Sequence, residues 1–162
     1  MRSFLYMLGI SFLVWLALTA SLQAQELLVG AGVCLALSLA LNTGYVRLGL
    51  PPLSAKRIVF FAVYLVVLLW EIIKANFDVA YRVVHPAMPI NPGIVVIRTE
   101  LKSDIAKMVL ANSITLTPGT FTLDIIGDKL LIHWINVKAE SVEDTTRLIG
   151  ERFERHLRVI FQ

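Results

Sequence analysis

The chain has 162 residues, of which 57% are hydrophobic and 17% are charged, and its formal net charge is +3. A mean hydropathy of +0.73 is too high for an ordinary soluble domain and indicates a membrane protein. The mild charge forms no basic face or stripe in the sequence, so no nucleic-acid partner is predicted.

The first apolar segment, residues 4–20, is uncharged and about long enough to span a bilayer. Arg2, the apolar core and Ala24 also resemble a signal peptide with its cleavage site. However, Leu22 is not small enough for its position before the cut, and Trp15 falls inside the apolar run. A retained helix is therefore the favoured interpretation.

The second apolar segment, residues 27–41, is short for a full span, and a re-entrant segment is an alternative. Gly32, Ala36 and Ala40 lie four residues apart and share one helix face, which favours close packing of another helix. The competing interpretation is that small residues are simply common in such helices. Cys34 is the single cysteine, so no intrachain disulfide forms, and we expect a small residue at a helix contact.

Breaking residues separate the second segment from the third. Asn42-Thr43-Gly44 is predicted to end the second helix, and Pro51-Pro52 prevents the helix from continuing. Ser54 is the predicted cap of the next helix.

The third segment, residues 58–84, is predicted to be one helix that begins in the membrane and ends in water. Residues 58–70 are uncharged, whereas from Glu71 onward polar residues recur every three or four positions, which is helical spacing. The helix is expected to leave the bilayer near residues 70–74 and to continue as an amphipathic stalk. Glu71 is a candidate for a cation path or an interface, and the alternative is a surface carboxylate paired with Lys74.

The distribution of positive charge gives two conflicting orientations. Arg47, Lys56 and Arg57 favour a cytoplasmic location for the loop before the third segment. The other end of the third segment is favoured on the cytoplasmic side too, by Lys74, Arg82 and the charged C-terminal region. A helix that crosses the membrane once cannot have both of its ends on that side. We predict a multi-pass protein of the cell membrane with a cytoplasmic C-terminal domain, although charge alone does not fix this orientation.

The C-terminal half has the pattern of a small soluble domain. Residues 1–84 are assigned to transmembrane helices and stalk, 85–93 to a Pro/Gly-rich joint, and 94–162 to an α+β domain of order β-α-β-β-α. This order predicts a small sheet with two helices on one face, a truncated ferredoxin-like arrangement. A domain of about seventy residues is near the lower limit for independent folding, so we expect it to lean on the stalk or a partner.

Several positions within this domain have predicted roles. Ser103 and Ser141 are predicted helix caps, and Gly127-Asp128 is a predicted hairpin turn. The predicted inward-facing positions of the first helix of this domain are Ile105, Met108, Val109 and Asn112. In the second strand, Phe121, Leu123 and Ile125 alternate with Thr122 and Asp124 and are predicted to form its buried face.

The sequence contains no recognisable catalytic constellation. The histidines His85, His133 and His156 lack metal-ligand spacing, and no Gly-rich phosphate loop is present. We therefore predict no enzyme activity, no cofactor and no metal site. The apolar runs 4–20, 27–41 and 58–70 contain no Asp, Glu, Lys, Arg or His, so the chain is not expected to conduct ions by itself.

The run Ala111-Asn-Ser-Ile-Thr-Leu-Thr-Pro-Gly-Thr-Phe-Thr-Leu-Asp124 resembles the hallmark of the E-subunit family of Mrp-type multisubunit Na+/H+ antiporters. The same family supplies small subunits of related membrane-bound hydrogenase complexes. The resemblance covers nearly the whole chain. It implies an integral accessory subunit of a monovalent cation/proton antiporter complex, needed for assembly or full activity, with other membrane subunits and the lipid bilayer as its partners.

The resemblance also implies that the motif around Thr117 and Pro118 matters for function. Residue chemistry adds a reason, because Pro118 and Gly119 suit a tight turn and the hydroxyls of Thr115, Thr117 and Thr120 lie beside it. The alternative function is a membrane-tethered regulatory domain that senses a ligand.

Overall fold

The computed structural model describes residues 2–47, 54–139 and 141–162. The chain forms two compact units, Met1–Ser54 and Ala55–Gln162. Its helices and strands are, in chain order, α1 (Arg2–Thr19), α2 (Ala24–Arg47), α3 (Ala55–Val84), β1 (Gly93–Arg98), α4 (Asp104–Leu116), β2 (Thr120–Ile126), β3 (Lys129–Trp134), α5 (Val142–Thr145), a π-helical turn (Thr146–Gly150) and α6 (Glu151–Phe161).

The first unit is a helical hairpin of α1 and α2. Trp15 holds the two helices together, since its indole Nε1 donates to the carbonyl oxygen of Glu26 at 3.1 Å. A Cβ atom at Gly30 would overlap the Trp15 ring, so only glycine permits this approach.

Two stripes of small residues run along α2, and their surroundings differ. Gly30, Cys34 and Ser38 are buried, which agrees with the expected contact role of Cys34. The predicted packing face of Gly32, Ala36 and Ala40 is exposed. Its proposed use against a partner helix stays a prediction.

The second helix is longer than predicted. It continues through Asn42, Thr43 and Gly44 to Arg47, so the prediction that these residues end it is wrong. A glycine inside a helix costs only about 1 kcal/mol relative to alanine, and the rest of a long apolar helix tolerates that cost. The predicted break at Pro51-Pro52 lies outside the described residues.

Within the described part of the chain, two helices are long and apolar enough to cross a membrane. Their apolar stretches are Ala24–Leu41 and Lys56–Val84, while that of α1, Met7–Thr19, is shorter. The second segment, predicted to be short, therefore meets the length of a span, and the expected set of three spanning segments is not confirmed.

The second unit contains α3 and the α+β domain. Its sheet has the order β1-β3-β2, and both strand pairs are antiparallel. The predicted element order β-α-β-β-α and the turn at Gly127 between β2 and β3 are confirmed. A hydrophobic core joins the inner side of the sheet to α4 and α6, with Ile97, Leu130 and Phe153 at its centre.

The inner face of α4 differs from the prediction. Ala106, Leu110 and Ile114 are buried, whereas Met108 and Asn112 are exposed. Ile105 and Val109 of the predicted set are half-buried, and Val109 packs against the core. The helix is thus rotated by about one residue position from the prediction, because the chain alone does not say which side of a mixed helix meets the sheet.

Strand β2 also departs from simple alternation. Its register shifts between Thr122 and Asp124, a β-bulge that places two residues opposite one on β3. Phe121, which pairs with the exposed His133 before the shift, and Leu123 are exposed, so the prediction that they face inward is wrong. After the shift Ile125 lies opposite the buried Leu130 but is itself 36% exposed. Thr122 is instead partly buried.

The C-terminal helices begin at the predicted cap. The Ser141 hydroxyl accepts from the backbone N–H of Asp144 at 3.1 Å, as a capping residue does. Ser103 occupies the corresponding position before α4, without a side-chain capping bond to any described residue.

Helix α3 is continuous, as predicted, and directly follows Ser54. It belongs to the same compact unit as the α+β domain, whereas the sequence division places it with the N-terminal helices. The reason is side-chain packing, because Tyr64 is 3% exposed and belongs to the domain core, with Phe60 and Leu68 against it.

Candidate functional site

The Thr-rich turn after α4 closes the end of that helix. The last carbonyl groups of a helix lack partners within it and need other donors. Here the hydroxyls of Thr117 and Thr120 both donate to the Ile114 carbonyl oxygen, at 2.7 and 2.6 Å. These side chains therefore serve as a C-terminal cap.

Two further threonines join α4 to the edge strand β2. The Thr115 hydroxyl accepts from the backbone N–H of Thr122 at 3.1 Å, and the Thr122 hydroxyl donates to the Ala111 carbonyl oxygen at 3.1 Å. The predicted hydroxyl cluster is thus engaged with backbone groups. Its direct role in the structure is to fix where β2 starts relative to α4.

Gly119 brings this turn close to α3. Its φ angle is +91°, and a Cβ atom there would lie 2.9 Å from Ile135 Cγ2 and 3.5 Å from Val79 Cγ2. Its carbonyl oxygen accepts from the Ile135 N–H at 2.9 Å. Both the conformation and the crowding require glycine, as the Pro-Gly pattern predicts for this turn.

An ion-pair cluster on α3 faces the turn. Glu71 is only 8% exposed, and its carboxylate pairs with Lys74 at 2.5 Å and with Arg152 of α6. The pairing with Lys74 agrees with the sequence interpretation. Arg152 was not anticipated, because it lies 81 positions away in the chain and nothing local links the two residues.

The turn and the ion-pair cluster enclose one cleft of about 210 Å³. Thr117, Pro118 and Thr120 line one side, and Glu71 and Lys74 line the other. The structure therefore brings together two sets of residues that the sequence suggested separately. Asp78, Trp134, Lys138 and Arg152 complete the lining with Ala75.

Near the C-terminal end of α3, Arg82 holds the segment that connects this helix to the sheet. Its guanidinium binds Asp78 with two hydrogen bonds, of 2.8 and 2.9 Å, and donates to the Pro89 carbonyl oxygen. With the amide of Asn136 oriented to satisfy its neighbours, its oxygen accepts from Arg82 Nη1 at 3.1 Å. This clamp sets the direction in which the chain leaves α3.

Closer to the N-terminal end of α3 than the cleft, Tyr64 anchors α3 to α4. Its hydroxyl is hydrogen-bonded to the Ser113 hydroxyl, which also donates to the Val109 carbonyl oxygen at 2.6 Å. Sequence reasoning missed this contact. The available signal was a tyrosine in the uncharged aliphatic run 58–70. A buried tyrosine usually has a hydrogen-bond partner, so Tyr64 indicated a polar contact there.

The chemistry of the cleft is that of a structural lock. Both carboxylate oxygens of Glu71 are occupied by cations, and the threonine hydroxyls are occupied by backbone carbonyls. Among the described residues, no group of three or more His, Cys, Asp and Glu side chains is arranged to hold a metal ion. The arrangement orients α3, α4 and α6 relative to one another.

These features define a class of protein: apolar helices long enough for a membrane, joined to an α+β domain that is locked onto the last of them. The family model described as Na+/H+ ion antiporter subunit matches residues 8–160. The chain belongs to this family, and the resemblance identified from residues 111–124 is confirmed.

Curated relatives match part of the chain. The Na+/H+ antiporter E subunit of Alkalihalophilus pseudofirmus is 41% identical over 85 residues, which are 52% of this chain and 54% of the relative. The antiporter E1 subunit of Staphylococcus aureus (strain bovine RF122 / ET3-1) is 38% identical over 98 residues, 54% of this chain and 62% of the relative. The match thus spans little more than half the length of these relatives.

Solved structures of membrane complexes also contain similar chains. A chain of the membrane-bound sulfane sulfur reductase, an archaeal respiratory membrane complex, is 49% identical, covers 99% of this chain and all of its own length, and superposes with a TM-score of 0.85. A chain of the Mrp complex from Dietzia sp. DQ12-45-1b is 25% identical over 67% of this chain, with a TM-score of 0.45.

The lock yields a first prediction. Glu71→Gln should destabilise the second unit by about 1–2 kcal/mol, because Arg152 and Lys74 lose their carboxylate but still reach water. Thermal unfolding of the full chain in detergent measures this loss. The double variant Glu71→Gln/Arg152→Gln should lose less than the sum of the single variants, and strict additivity would show that the pair does not interact.

Proposed function

We propose that the chain is a non-catalytic accessory subunit of a multisubunit monovalent cation/proton antiporter, supporting the assembly and activity of sodium and proton transport. The main support is the family match over residues 8–160. The internally paired cleft agrees with it, because its polar groups hold helices in place. In this proposal the other membrane subunits of the complex are the partners, the C-terminal domain is cytoplasmic and truncated ferredoxin-like, and the membrane is the cell membrane.

The proposal is tested with the full chain alone in sealed vesicles. We expect sodium and pH gradients to persist as long as they do in protein-free vesicles, and antiport to appear only when the partner subunits are present. Exchange of sodium for protons by the isolated chain would overturn the proposal. A well-behaved, ligand-responsive isolated chain would instead favour the alternative of a membrane-tethered regulatory domain.

The structural similarity supports a second host for the same kind of subunit. The similarity at 49% identity over nearly the full chain is to a chain of a respiratory complex, not of an antiporter. Affinity purification of a tagged chain from native membranes, followed by mass spectrometry, separates the hosts. Redox subunits and reduction of sulfane sulfur in the purified complex indicate the respiratory host, and sodium-dependent proton exchange without redox subunits indicates the antiporter.

We further propose that the exposed stripe of Gly32, Ala36 and Ala40 packs against a partner helix. Ala36→Leu should then reduce co-purification of the partner subunits several-fold, because a larger side chain prevents close approach of two backbones. Ala31→Leu, which is exposed but lies off the stripe, is the matched control. Equal partner yield from the two variants would remove the stripe from the interface.

The proposal that Glu71 contributes to a cation path has a separate test. With both carboxylate oxygens already paired, we expect Glu71→Gln to leave the apparent cation affinity of the intact antiporter unchanged after correction for the amount of complex. A changed affinity in an equal amount of complex would place Glu71 in the path.

A further inference from the structure

One face of α3 packs along the α+β domain over most of its length. Near its start, the Arg57 guanidinium lies 3.5 Å from the carbonyl oxygen of Gln162, the last residue of the chain. Tyr64 is then buried in the domain core, Glu71 pairs with Arg152, and Arg82 is buried near the end of the helix. The contacts at Arg57 and Glu71 show that α6 runs antiparallel to the most apolar part of α3.

This neighbour is incompatible with a helix that crosses the hydrocarbon. Packed helices lie about 8–10 Å apart, so α6 occupies the same depth as the part of α3 beside it. Glu151, Arg155 and Arg158 of α6 are all exposed. If residues 57–71 crossed a bilayer, these charged side chains would lie within it, where charged groups are costly.

The opposite face of α3 is exposed and apolar. Val66, Trp70, Phe77 and Val84 follow one another at helical spacing and are 69%, 59%, 74% and 82% exposed. A helix that is hydrophobic on all sides is normally buried on all sides. The domain covers one side of α3, and the other side requires apolar surroundings as well.

We infer that α3 lies in the plane of the membrane surface, with this outer face in the boundary between lipid headgroups and acyl chains, and does not cross the bilayer. The edges of the face fit that position. Lys56 and Lys74 lie along one edge of it and are exposed, which suits anionic headgroups, and Lys74 also pairs with Glu71. Trp70 and Tyr81 are side chains that favour the membrane interface. The high hydropathy of α3 then comes from two buried faces, one against protein and one against lipid.

This placement removes the conflict between the two groups of positive charge. Arg47, Lys56 and Arg57 before the apolar run, and Lys74 and Arg82 after it, both favour the cytoplasmic side. A crossing helix separates the two groups, whereas an in-plane helix keeps both on one side. The inference concerns the topology of this chain and does not depend on whether its host is an antiporter.

Thiol labelling tests the topology in native membranes. Cys34 is replaced by serine to remove the single native thiol, and one cysteine is introduced at either end of α3, as Ser54→Cys or Ala87→Cys. We expect an impermeant maleimide to label both variants in the same vesicle orientation and neither in the opposite one. Labelling of the two variants in opposite orientations would overturn the inference, and permeabilised vesicles provide the full-labelling control.

A depth measurement distinguishes lipid from a protein partner on the outer face. Spin labels at Val66 and Phe77 lie on the same face but eleven positions apart, which is about 16 Å along a helix. For an in-plane helix, collision with oxygen and with a water-soluble nickel chelate should report equal, shallow depths at both sites. Depths that differ by most of that distance indicate a crossing helix, and exclusion of both reagents indicates a covering protein partner; either result overturns the inference.

Discussion

Gly119→Val is expected to destabilise the second unit by about 2–5 kcal/mol, the sum of backbone strain and overpacking. A β-branched residue is poorly compatible with the φ angle of +91°, and its Cβ would lie 2.9 Å from Ile135 Cγ2. The turn would have to move away from Ile135, whose backbone N–H donates to the Gly119 carbonyl oxygen. Thermal or denaturant unfolding of the full chain in detergent measures the loss.

Gly127→Val is the matched control for this prediction. Gly127 also has a positive φ angle, +64°, but no described atom lies within 4 Å of an added Cβ. Its substitution should therefore cost only the backbone term, about 1–2 kcal/mol. If the two variants lose equal stability, the crowding against Ile135 does not contribute.

Tyr64→Ala is expected to cost about 3–5 kcal/mol, the range for truncating a large buried aromatic side chain. Tyr64 is 3% exposed, and its removal also leaves the Ser113 hydroxyl without this partner. The domain should separate more readily from α3. Limited proteolysis in the segment between α3 and β1 should then become faster, together with a lower unfolding temperature.

The specificity of this effect is checked on the same helix. Tyr81 is 61% exposed, so Tyr81→Ala should change stability by less than about 1 kcal/mol. Tyr64→Phe isolates the hydroxyl, whose buried hydrogen bond should contribute about 1 kcal/mol. A Tyr64→Ala variant as stable as Tyr81→Ala would contradict the assignment of Tyr64 to the domain core.

Local patterns in the sequence predicted local structure well. The pair Glu71 and Lys74, the cap at Ser141 and the turns at Gly119 and Gly127 each involve residues within a few positions of one another. Their geometry depends on backbone rules and short spacings, which a sequence contains directly. The element order of the C-terminal domain followed from the same kind of signal.

Local patterns did not predict which of two similar faces of a helix or strand is buried. Along α2, the stripe of Gly30, Cys34 and Ser38 has the same spacing as that of Gly32, Ala36 and Ala40, and the buried one is the one on which Trp15 packs. In β2, Thr122 is partly buried whereas Phe121 and Leu123 are exposed. Neither outcome is determined by periodicity, because the partner surface selects the face.

The sequence by itself determined the family, through the run from Ala111 to Asp124, and determined that the first half of the chain is too apolar for water. Only the tertiary structure decided what α3 packs against. Hydropathy measures how strongly a side chain avoids water and is the same for a lipid neighbour and a protein neighbour. Long-range contacts distinguish the two: Tyr64 with Ser113 places α4, and Glu71 with Arg152 places the charged α6, beside a segment that composition assigns to the bilayer.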